Sequence, residues 1–121
     1  MTMNDGIVFV DDDEGNALLA EVWLSNAGFT NVSYFREPEK ALRYIERNPK
    51  PALVISDYNM PTMNGVDFLQ EVKKNSPEIK TIIVSATSRL QWHPIQPHKV
   101  LVKGVDYLDD LVREIKKELG I

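Results

Sequence analysis

Gly6-Ile7-Val8-Phe9-Val10-Asp11-Asp12-Asp13, residues 6–13, joins a short apolar run to three acids, and a later stretch repeats the design: Ala52-Leu53-Val54-Ile55-Ser56-Asp57-Tyr58-Asn59-Met60-Pro61. Short, β-branched-rich runs without polar alternation are the pattern of strands covered on both faces, as in a parallel sheet. Polar residues that follow such strands emerge together at the carboxyl edge, where open α/β sheets bind ligands. Acids converging there predict a divalent cation site, because hard cations take oxygen donors.

Outward from these two stretches the chain alternates. Leu18, Leu19, Val22, Trp23 and Ala27 recur at helical spacing and predict a helix over 14–27, with Asp13 as N-cap, Gly28 as its stop and Trp23 in the core. Asn31 to Phe35 reads as a strand, and Pro38 opens a helix through Leu42 and Ile45 to Asn48, closed by Pro49 and Pro51. After the second stretch, Gly65 precedes a helix with Val66, Leu69 and Val72 on one face, ending near Asn75-Ser76-Pro77. Thr81-Ile82-Ile83-Val84 and His98 to Val102 read as further strands, and Leu108, Leu111, Val112, Ile115 and Leu119 mark a last helix. Right-handed crossovers and short loops make this a doubly wound, five-stranded parallel α/β sheet, with strand order 2-1-3-4-5 expected. The competing Rossmann fold needs a Gly-rich phosphate cradle after the first strand; Asp11-Asp12-Asp13-Glu14-Gly15 would instead repel a pyrophosphate.

The 121 residues predict a single domain over 1–121, with 43% hydrophobic and 26% charged residues, an ordinary globular balance. No apolar stretch reaches the ~20 residues of a membrane helix and no signal peptide is read, so no membrane partner is expected. The absence of cysteine excludes disulfides and thiolate chemistry and suits a cytoplasmic location. A net charge of -4, from 14 basic and 18 acidic residues, argues against direct nucleic-acid binding.

Ser85, in Val84-Ser85-Ala86, and Lys103, in Val102-Lys103-Gly104, end the fourth and fifth strands and fall at the same edge. Taken singly, each residue has a plain reading: an acidic turn with a cap, a strand-end hydroxyl, a surface lysine. Together, Asp11, Asp12, Asp57, Ser85 and Lys103 can hold a magnesium ion, offer a carboxylate nucleophile and receive a phosphoryl group. Unit charges ~4 Å apart repel by about 4 kcal/mol at an effective dielectric near 20, so clustered carboxylates need a cation or shared protons.

With these residues in view, the whole chain resembles the receiver domain of bacterial two-component response regulators. The resemblance is carried by the acid pair after the first strand, the Asp57-x-x-Met60-Pro61-x-x-x-Gly65 loop, the Ser85-Ala86 pair and Lys103. It implies a flavodoxin-like fold and a phosphoprotein switch of two-component, phosphorelay signalling rather than a turnover enzyme. Asp57 would be the phosphoacceptor, served by a partner histidine kinase or phosphotransfer protein. Mg2+ would be held by Asp12, by Asp11 largely through water, by Asp57 and by the backbone carbonyl of Asn59. Lys103 and Ser85 would contact the phosphoryl oxygens, while Ala86 leaves room for the group. The signal would pass to a downstream protein or to an output domain beyond this chain.

Departures from the family pattern concern output. The crossover after Ser88 is short and contains Pro94 and Pro97, which predicts a shortened or irregular helix, with the Arg89–Pro97 loop and Trp92 as partner surface. Val100 stands where the family has an aromatic switch residue, and Gly104 where it has proline, so the Lys103–Gly104 bond is expected to be trans. Three alternatives stand beside this reading: a pseudo-receiver that binds proteins without phosphorylation, a haloacid-dehalogenase-type phosphohydrolase using Asp11 and Asp13, which would leave the Asp57 loop unused, and a fragment separated from a DNA-binding or enzymatic output domain.

Overall fold

The structure, a computed structural model, describes residues 5–86 and 99–121. In chain order it runs β1 (Ile7–Val10), α1 (Glu14–Asn26), β2 (Val32–Phe35), α2 (Pro38–Arg47), β3 (Leu53–Asp57), α3 (Gly65–Asn75), β4 (Lys80–Ser85), β5 (Lys99–Val102) and α4 (Tyr107–Leu119). The expected shortened helix and the Arg89–Pro97 partner loop lie outside the described residues.

The five strands form one parallel sheet in the order β2-β1-β3-β4-β5, as the alternation predicts. Alternate strand residues feed separate cores. Ile7, Phe9, Leu53, Ile55, Ile82 and Val84 pack with Ala20 and Leu24 of α1 and with Leu111, Ile115 and Leu119 of α4. Val8, Val10, Val54 and Ile83 pack with Ala41 and Ile45 of α2 and with Val66, Phe68, Leu69 and Val72 of α3. The sheet is thus covered on both faces, which is why its strands carry no polar alternation.

Local signals set the helix ends. The Asp13 carboxylate accepts from the Asn16 N–H at 2.9 Å, and Asn64 does the same for Asp67 at 2.9 Å, each satisfying a donor the helix start leaves unpaired. Gly28, at φ 96°, takes the left-handed turn past the end of α1, and Gly120, at φ 71°, that past α4. Pro38 occupies the first turn of α2, where no N–H is needed.

One reading is corrected. Trp23 is not a core residue of α1: it is 39% exposed, Leu18, Leu19 and Val22 beside it are 56%, 52% and 53% exposed, and Ala20 and Leu24 face the sheet instead. The helix carries neighbouring apolar stripes, and helical spacing alone does not say which of them faces inward. Trp23 is held at the surface by its indole N–H, which donates to Asp109 Oδ1 on α4 at 2.9 Å.

Candidate functional site

The parallel register brings the chemistry to one edge. Val10 pairs with Ser56, Asp57 with Val84, and Ser85 with Val102, so Asp11, Asp57, Ser85 and Lys103 all stand at or just past the carboxyl ends of adjacent strands. Carboxylate oxygens of Asp11, Asp12 and Asp57 lie within 4.8 Å of one another. The Lys103 ammonium reaches Asp57 Oδ1 at 3.2 Å. Ser85 is buried at the end of β4, and its carbonyl accepts the Lys103 N–H at 2.7 Å, tying the two strand ends together. Asn59 sits exposed in the loop after β3. Asp13, capping α1, stands apart from the carboxylate trio, as its cap reading predicts.

Asp11 and Asp57 are held against their electrostatic preference. Burial pushes the Asp11 carboxyl up to about 6, with the Asp57 charge adding to the rise and an accepted bond from the Asp13 N–H at 2.9 Å opposing it. Burial also raises Asp57, against the lowering effect of Lys103. Among the described residues one ammonium is paired with the three carboxylates, and the donors of the trio are all oxygens, the set that suits a hard divalent cation. Asp12 also borders a groove of about 790 Å³ lined by Arg36, Lys40, Pro61 and Thr62.

Two supports of the site were not readable as such from sequence. A Cβ on Gly65 would fall 2.3 Å from the Asp57 carbonyl oxygen and 3.0 Å from Ile83 Cδ1, so the start of α3 is pressed against the backbone of Asp57. The Gly65 N–H donates to the Tyr58 carbonyl at 2.8 Å and closes the intervening loop. The motif spacing marked Gly65, yet only the packing explains why nothing larger fits. Tyr107, at the first turn of α4, is the second: its ring centroid lies 5.9 Å from the Lys103 ammonium. An aromatic four residues beyond the lysine was the signal available for it. Val100 packs at the margin of the α2–α3 core, and the Lys103–Gly104 bond is trans, as expected for glycine there.

Comparison with known proteins gives a consistent picture. The response regulator receiver domain family profile matches residues 7–116. A probable chemotaxis protein CheY of Rhizobium etli is 32% identical over 83 residues, which cover 69% of this chain and 64% of that protein. The DNA-binding transcriptional regulator NtrC of Salmonella typhimurium is 33% identical over 89 residues, 73% of this chain but 19% of the relative. The match therefore spans under two thirds of either protein's length. Among solved structures, a CheY-like receiver domain from Methanospirillum hungatei superposes with TM-score 0.86 at 25% identity, covering 97% of this chain and 94% of that one. The response regulator TrrA of Thermotoga maritima, solved in complex with Mg(2+)-BeF, gives TM-score 0.83 at 26% identity, covering 94% and 98%.

Proposed function

This chain belongs to the response regulator receiver domain family, and from that premise we propose that Asp57 is its phosphoacceptor, taking a phosphoryl group from a phosphohistidine on a partner kinase or phosphotransfer protein. The family works as a phosphoacceptor switch rather than as a turnover enzyme. The observation that carries the reading is the convergence of three carboxylates within 4.8 Å, with Lys103 at 3.2 Å from Asp57.

In the proposed step an Asp57 carboxylate oxygen forms a bond to phosphorus as the P–N bond to the donor histidine breaks, leaving an aspartyl phosphate. Asp11, Asp12, Asp57 and the Asn59 carbonyl would hold Mg2+, which lowers carboxylate repulsion and neutralises charge on the phosphoryl group. Lys103 exchanges its carboxylate partner for a phosphoryl oxygen, and Ser85 hydrogen-bonds another. The added charge of about -2 then biases the fold toward a signalling conformation. Output goes to a downstream protein or a separate output domain, in the cytoplasm.

The test is incubation with Mg2+ and acetyl phosphate followed by intact mass. Wild type gains one phosphoryl group; Asp57→Asn gains none, and neither does wild type with the metal chelated. A wild type that stays unmodified while still binding a partner would favour the phosphorylation-independent reading, whose motive is valine at position 100.

A further inference from the structure

Lys103 has a fixed backbone and an open loop after it. Its N–H is tied to the Ser85 carbonyl at 2.7 Å, but the chain then runs into Gly104, whose added Cβ would meet nothing within 4 Å, and Val105, which is fully exposed. Val105 therefore does not pack on the lysine stem. A lysine side chain has a flexible four-carbon stem, so its ammonium needs a second constraint to stay aimed at Asp57.

Tyr107 supplies a surface in the right place. Its ammonium-to-centroid distance of 5.9 Å lies within the ~6 Å reach of a cation–π contact. The ring is itself fixed: it packs on the core shared by β1, β3, β4, α1 and α4, and its backbone N–H donates to the Gly104 carbonyl at 3.2 Å, closing the loop that begins at Lys103. Burial, then the charges of Asp11 and Asp57, push its hydroxyl up, which places the phenol within electrostatic range of the acidic cluster.

We propose that Tyr107 is a positioning residue for Lys103, its ring forming a wall that keeps the ammonium directed into the acidic site. The inference rests on Asp57 being the phosphoacceptor. A ring face suits the task because its quadrupole attracts a cation without a fixed acceptor point, so the ammonium can pass from carboxylate to phosphoryl oxygen while remaining held. A carboxylate in the same place would pin it.

The experiment compares wild type, Tyr107→Phe and Tyr107→Leu, each also on a Lys103→Met background, by the rate of Asp57 modification with acetyl phosphate and Mg2+. NMR of the Lys103 Hε protons is recorded alongside. Tyr107→Phe keeps the wild-type rate and an upfield ring-current shift of Lys103. Tyr107→Leu loses the shift and slows modification about two- to five-fold, the rate equivalent of one such contact, and the loss vanishes on the Lys103→Met background. The proposal is overturned by Lys103 signals at unperturbed positions in wild type and Tyr107→Phe. It is overturned equally if Tyr107→Leu reacts at the wild-type rate, or slows by the same factor without the lysine. A wild type that takes up no phosphoryl group at all sinks the Asp57 reading instead, and the Lys103 shifts still decide the placement.

Discussion

At the carboxyl edge of the sheet charge is drawn out of water, whereas on α1 apolar side chains are left in it. Asp11 is 2% exposed, yet Leu18, Leu19 and Val22 of α1 are each more than half exposed. A chain shaped only for stability would reverse both, since burying a charge and exposing apolar surface each cost free energy. The two regions differ in what they show. The edge converges on one point with a defined chemistry, while the α1 face is a surface whose composition the fold does not require.

The comparison can be broken or sharpened by substitution, beginning with the largest effect. Leu24→Ala on the inner stripe of α1 should destabilise the fold by about 2–5 kcal/mol in chemical denaturation, the range for a buried leucine; a much smaller loss would mean α1 is rotated from its described position.

Asp11→Asn should do the opposite. The folded-state value of about 6 lies above the ordinary 3.8, so the native state binds more protons than the unfolded chain between these values. Stability then falls as pH rises through that window, and above it the buried charge costs up to about 3 kcal/mol. Without metal at pH 7, Asp11→Asn should be more stable than wild type by up to that amount, the gap closing below about pH 4. Saturating Mg2+ should stabilise wild type more than the variant. Denaturation curves across pH with and without the ion test both statements, and a wild type that gains stability from pH 4 to 6 would break the contrast.

Gly65→Ala comes third, at about 1–3 kcal/mol, because the new methyl meets the Asp57 backbone rather than a movable side chain. Its sharper signature is slower Asp57 modification, measured by mass at equal fraction folded. The smallest effect belongs to the outer stripe: Leu18→Gln should shift stability by no more than about 0.5 kcal/mol, as surface changes do. A loss comparable to that of Leu24→Ala would show that Leu18 is covered.

Much of the edge was legible because it is written in strand ends. A strand fixes where the next residue emerges, so Val10-Asp11, Ser56-Asp57, Ser85 and Val102-Lys103 predict a common edge once the sheet is parallel. Asp13 was legible as a cap for an equally local reason. Trp23 was not: its stripe looks as apolar as that of Leu24, and its surface placement depends on Asp109, a residue 86 positions away in sequence.

The sequence by itself thus determined the alternation of strands and helices, the Asp13 and Gly28 ends of α1 and the set of groups at the carboxyl edge, since each depends on periodicity or on neighbours a few residues apart. Tertiary structure alone decided which stripe of α1 turns inward, why a side chain at position 65 would crowd the Asp57 backbone, and that the Tyr107 ring stands beside the Lys103 ammonium. Those outcomes depend on distances between separately formed elements, and close packing sets such distances only when the whole sheet and its helices are assembled.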